Sequence, residues 1–227
     1  MRATVMAILL AVTACAPAAP VASASSTGWQ SLFNGADLTG WRGYKTPTVP
    51  TKWRVEDGAI MLGSEGGNGD IVTAQEFGDF ELELEWKISA GGNSGIIYFI
   101  RETPAAAQTY STGAEMQVLD DERHPDGKLP SHRAGALYDL IVPSEAAAKP
   151  VGEWNKVRIV VREGRIEHWL NGRRVVATTY GDDAWRAMVA GSKFKAMPDF
   201  AKVPRGRIAL QDHGDRVWYR AIRIRSL

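Results

Sequence analysis

The chain has one cysteine, Cys15, in 227 residues, so it can form no internal disulfide. It also lacks an excess of either charge. Its 27 Lys and Arg stand against 26 Asp and Glu, which leaves no electrostatic reason to expect nucleic acid or an acidic partner. The N-terminal apolar run, residues 3–12, is too short to span a bilayer. There is no Ser-His-Asp order, HExxH, paired-cysteine zinc spacing, phosphate loop or GxGxxG fingerprint. The common hydrolase and nucleotide-binding readings fall away, and no nucleotide or organic cofactor is expected. Helical periodicity is nearly absent too, confined to the stretch AWRAMVAGSKF with Gly191 as a stop.

What is present begins with an export signal. Arg2 precedes the apolar run, which ends in Val12-Thr13-Ala14-Cys15 and resembles a bacterial lipobox. Diacylation of Cys15 would explain an exported chain with one thiol. The competing reading is an ordinary signal peptide cut near Ala22 or Ala24. Residues 1–15 are therefore expected to be a lipoprotein signal and 16–28 a small-residue tether. The product is expected to be lipid-anchored to a bacterial membrane, periplasmic or at the cell surface; its oligomeric state is left open.

From Trp29 onward the chain reads as about a dozen short strands with turn signals every ten residues or so. KWRVEDGAIM is a hairpin turned at Asp57-Gly58, and further hairpins turn at Glu163-Gly164 and Asn171-Gly172. FELELEWKI alternates strictly, with Glu81, Glu83 and Glu85 predicted on a solvated outer face. Residues 136–141 are also predicted as a strand. His168 alternates with Ile166 and Leu170 and is expected to be packed. No linker or repeat divides residues 29–227. The pattern predicts one all-β domain, a jelly-roll sandwich of two antiparallel sheets.

One stretch departs from simple half-burial. In 114–120, Glu115, Gln117 and Leu119 face one way and Ala114, Met116, Val118 and Asp120 the other. A carboxylate and an amide on one face are either solvated or hold a ligand.

Several stretches, taken in order, carry a family resemblance: LFNGADLTGW, WRVEDGAI, GDFELELEWKISAGGNSGIIYFIR, GAEMQVLDD, GALYDL, KPVGEWNKVRIVV, HWLNGRRV and GRIALQDHGDRVWYRAIRI. Together they resemble the 3-keto-disaccharide hydrolase family, formerly a domain of unknown function. The resemblance implies a concanavalin- or laminarinase-like jelly roll acting on glycosides oxidised at C3. No ExDxxE carboxylate pair of the laminarinase kind is present. The family often has Arg-Asn before the last strand, where this chain has Arg220-Ala221.

A C3 ketone acidifies the C2 proton, so a base can form an enolate that expels the C1 substituent before water adds. Such a site needs a base and a cationic group, and leaves room for a divalent metal ion. His213, in QDHGD at a strand end, is the first candidate for base or metal ligand, because imidazole exchanges protons near neutrality; a turn-capping role is its bland alternative. Glu115 and Asp120 are further candidates for base, metal ligand or orienting group, against plain exposure and turn capping. Gln117, Gln211, Asn93 and Ser94 are candidate sugar ligands, as are Lys149, Trp154 and Asn155, with Trp154 as a stacking platform. His124, Asp126, His132 and Arg133 are candidates for the rim. The alternative function is a lipid-anchored, non-catalytic carbohydrate-binding module.

Overall fold

The computed structural model describes residues 28–227; the expected signal, Cys15 and nearly all of the tether lie outside the described residues. Alternating apolar side chains require that each sheet bury one face against another layer. The described residues meet this with thirteen strands: β1 (Gln30–Ser31), β2 (Trp41–Gly43), β3 (Trp53–Glu56), β4 (Ala59–Leu62), β5 (Ile71–Thr73), β6 (Phe80–Ile88), β7 (Asn93–Ile100), β8 (Ala114–Leu119), β9 (Asn155–Arg162), β10 (Arg165–Leu170), β11 (Arg173–Thr179), β12 (Arg207–Leu210) and β13 (Val217–Ser226). One sheet has the order β11-β10-β9-β6-β13-β4-β3, with β1 added beside β13; the other runs β2-β5-β12-β7-β8. Every pairing is antiparallel. The predicted two-sheet sandwich is the observed architecture.

Between the sheets lies one apolar core, containing Leu82, Leu84, Trp86, Ile96, Tyr98, Met116 and Val118. One polar side chain within it is fully paired. His168 is buried, with Nε2 2.9 Å from the Tyr98 hydroxyl and Nδ1 3.1 Å from the Gly135 carbonyl. Burial pushes that imidazole down to about 4, so it is held neutral. The expectation that His168 is a packing residue agrees with this placement.

The hairpin at Asp57-Gly58 forms as predicted, both residues taking positive φ, as a two-residue turn requires. Helix α1 (Asp183–Gly191) starts where Asp182 accepts a hydrogen bond from the Trp185 N–H.

Residues 136–141 do not form the predicted strand. Leu137 bridges only to Met116 and Ile141, because the segment turns sharply, with Asp139 at φ 60°. Asn93 and Ser94 are the first two residues of β7. The glutamates of β6 are not simply solvated either. Glu81, Glu83 and Glu85 accept from Arg225, Arg223 and Arg220 on β13 at 2.7 to 2.8 Å. Beside that ladder, β13 bulges between Arg220 and Arg223, with Ala221 at φ 51°. Asn enters this left-handed region several-fold more readily than most residues.

Candidate active site

β7 and β8 set the site, because their register fixes which side chains face away from the core. Ile97 pairs with Glu115 and Gly95 with Gln117. The Glu115 carboxylate lies back over Gly95. A Cβ at that glycine would fall 2.7 Å from the Glu115 carboxyl carbon, so only glycine leaves it space. Loops then roof this outer face, and a cavity of about 180 Å³ remains, lined by Asn93, Tyr110, Glu115, Gln117, Tyr138, Lys193, Gln211 and His213.

Glu115 is 5% exposed. Among the described residues, none forms a hydrogen bond or ion pair with its carboxyl. Removal from water is the main cause that pushes it up to about 8; the nearby Lys193 charge pulls the other way, and Asp70 and Asp126 add to the rise. Asn93 Oδ1 and Gln211 Oε1 are also buried without a partner. Three polar groups left unsatisfied around one small cavity mark a place where a ligand completes the hydrogen bonding.

The walls come from distant segments. Asp70, itself raised by burial, accepts from the Asp212 N–H at 2.8 Å and from the Thr109 hydroxyl. It thereby joins the turn carrying Tyr110 to the strand end carrying Gln211 and His213. Lys193 places its ammonium 4.1 Å from the Tyr138 ring centre and 6.0 Å from that of Tyr110.

At the exposed mouth, His124, His213 and Asp215 bring one donor atom each to within 4.8 Å of one another. The His213 Nε2 is 3.4 Å from Asn93 Nδ2. Asp215 accepts the Asn93 N–H at 3.0 Å, and His124 Nδ1 accepts the Asp126 N–H at 3.1 Å, contacts that orient both groups. Two imidazoles and a carboxylate form a donor set suited to a first-row divalent metal.

The structure thus brings together Glu115, Gln117, Asn93, Gln211 and His213 from the sequence candidates. Others go elsewhere. Asp120 caps a turn, one oxygen accepting the Gly91 N–H at 2.7 Å and the other those of Glu122 and Arg123, so it is neither base nor metal ligand at this cavity. The Ser94 hydroxyl points into the core, 2.7 Å from the Gln211 carbonyl and 2.8 Å from the Tyr219 hydroxyl. Asn155 is spent on backbone and on Asn171, accepting the Lys149 N–H at 2.7 Å, so neither Asn155 nor Lys149 reaches the cavity. Trp154 is no sugar platform, since Arg220 and Lys87 cover its ring at 3.9 and 5.1 Å on the outer face of the other sheet. Arg133 braces its own loop through the Gly127 carbonyl. Glu115 and Asp120 are not part of the His-Asp cluster; His124 and Asp215 are.

Sequence reasoning missed Tyr110, Tyr138, Lys193, Gly95 and Asp215. Lys193 lies in the loop hardest to align, whereas Gly95 left a signal: a glycine inside an otherwise bulky strand marks a close approach.

The model of the 3-keto-alpha-glucoside-1,2-lyase-like domain matches residues 28–225. A 3-keto-disaccharide hydrolase of Bacteroides thetaiotaomicron is 37% identical over 88% of this chain and 79% of its own length. A Parabacteroides distasonis crystal structure, provisionally assigned to the glycosyl hydrolases, is 34% identical with a TM-score of 0.81, covering 88% of this chain and 94% of the other. The carbohydrate-binding module CBM66 of Bacillus subtilis, 13% identical with a TM-score of 0.50 over 83% of this chain and 96% of its own, shares the fold. The chain belongs to the 3-keto-alpha-glucoside-1,2-lyase-like domain family.

Proposed function

As the activity of this family member, we propose cleavage of glycosides whose sugar carries a ketone at C3, with Glu115 as the base. The observation that carries this reading is a buried carboxyl with no protein partner, facing a small cavity and raised to about 8. A raised carboxyl is a stronger base once ionised, and its desolvated oxygen needs no partner to be displaced before it takes a proton.

Glu115 removes the C2 proton. The electrons move to the C3 oxygen, and the enolate then expels the C1 substituent as an alkoxide, which takes the proton held by Glu115 and leaves as an alcohol. Water then adds its oxygen at C1, and the proton it gives up is carried by Glu115 to C2, which completes net hydrolysis. Lys193 faces the same cavity and lowers the energy of the enolate oxygen. Asn93, Gln117 and Gln211 supply amides for the hydroxyls, and Tyr110 and Tyr138 supply ring faces for the sugar. His124, His213 and Asp215 would hold a divalent metal, which when bound supplies Lewis-acid polarisation of a ketone oxygen.

The test is incubation of the purified protein with a 3-keto-glucoside. Wild type should release the C1 substituent, and Glu115→Gln should bind the same compound without releasing it. Equal release by both would end the assignment of the base. Binding without release by wild type would favour the non-catalytic carbohydrate-binding alternative.

Export and anchoring through Cys15 form part of the same proposal, supported by the apolar run and lipobox-like VTAC. Cells given labelled fatty acid should label the wild type and not Cys15→Ser; label retained on the variant would reject the anchor.

A further inference from the structure

We propose that His132, which does not line the cavity, is a positioning residue that sets Lys193 and Tyr138 through Asp139. The inference rests on the reading of the Glu115 cavity as the active site.

His132 lies between two carboxylates, its Nε2 3.2 Å from Asp139 Oδ1 and its Nδ1 3.5 Å from Asp126 Oδ2. Its ring also packs on Tyr138, centre to centre 4.3 Å at 35°. The second oxygen of Asp139 accepts the Lys193 N–H at 3.1 Å, joining two segments that are 54 residues apart in sequence. The Lys193 ammonium then returns to the Tyr138 ring. These contacts close a circuit: His132 to Asp139, Asp139 to the Lys193 backbone, Lys193 to Tyr138, and Tyr138 to His132.

The circuit matters because Lys193 is solvent-exposed and has a long flexible stem, so little else holds its charge over the cavity. Asp139 is itself held in a left-handed conformation by its N–H bond to Ser131, which presents both carboxylate oxygens outward from the turn. Loss of His132 frees Asp139 to rotate and removes the backing of Tyr138. A misplacement of Lys193 by about 1 Å is enough to cost up to roughly 10²-fold in rate.

The experiment is a double-mutant cycle on the full chain, with kcat/KM measured on a 3-keto-glucoside. Lys193→Ala alone should lose roughly 10²-fold, and His132→Ala alone roughly tenfold. If His132 acts through Lys193, the double variant should be no worse than Lys193→Ala. Free imidazole should restore part of the His132→Ala loss and none of the Lys193→Ala loss. Asp139→Asn, which tolerates the left-handed backbone, provides a second arm should His132→Ala fold poorly; its loss should also vanish in the Lys193→Ala background. Multiplying losses in the double variants, or full activity in His132→Ala, would overturn the proposal. Full activity in Lys193→Ala would overturn it too, while Glu115→Gln still decides the reading of the cavity.

Discussion

The outer faces of the two sheets both carry glutamates on alternating strands, and they use them in opposite ways. On the eight-stranded sheet Glu81, Glu83 and Glu85 each face an arginine of β13 across the register. On the five-stranded sheet Glu115 faces Ile97, and loops bearing Tyr110, Tyr138 and Lys193 close over it. The first set is satisfied and serves pairing; the second is desolvated and unsatisfied. A polar group earns a functional reading when its partners are missing, not when it is merely buried, since His168 is more deeply buried than Glu115 yet fully paired.

The sharpest way to break this contrast is Glu115→Gln, expected to lower kcat/KM by roughly 10³-fold or more. In wild type kcat/KM should rise with pH through about 8 and level off above it, because the base must be ionised; a profile already flat from pH 6 would remove Glu115 as base.

Stability should move the other way. A carboxyl raised from 4.5 to about 8 contributes its full stability only below pH 4.5, and that contribution is lost as pH rises through 8. At pH 9, Glu115→Gln should therefore be more stable than wild type, by roughly 5 kcal/mol, and the gap should close near pH 4. Denaturant melts at the two pH values would measure it.

Next in size is Gly95→Ala, whose methyl group displaces the Glu115 carboxylate; activity should fall roughly 10²-fold while the fold survives. Undiminished turnover would show that the carboxylate's place over Gly95 does not matter.

On the opposite face Glu83→Gln should leave activity unchanged and cost no more than about 1 kcal/mol, since the Arg223 pair is partly exposed. The smallest expected effect is at the neighbouring bulge, where Ala221→Asn should raise stability by a few tenths of a kcal/mol, as Asn tolerates φ near 51° better than Ala. A drop in melting temperature would show that Ala221 is held by something other than its backbone.

Much of this is legible in the sequence. Strict alternation in FELELEWKI, Asp-Gly and Asn-Gly turns, and the spacing of short apolar runs led to a two-sheet sandwich, because side-chain period and turn chemistry are local properties. The same alternation put Glu115 and Gln117 on one face, and strand ends pointed to Gln211 and His213. Candidates chosen by residue type alone fared worse. Trp154 and Asn155 looked like sugar ligands, but the distant Arg220 already covers Trp154, and the Lys149 N–H and the Asn171 amide already occupy Asn155. Asp120 and Ser94 differ from Glu115 by one step of alternation, and that step turned them away from the cavity.

The sequence by itself therefore determined the strands, the turns and the face on which Glu115 stands. Only the tertiary structure decided that this face is roofed, that Lys193 and Tyr138 stand over it, and that arginine answers every β6 glutamate but not Glu115. The reason is physical: alternation and turns act over a few residues, whereas desolvation and charge pairing depend on what the fold brings from 54 to 142 residues away.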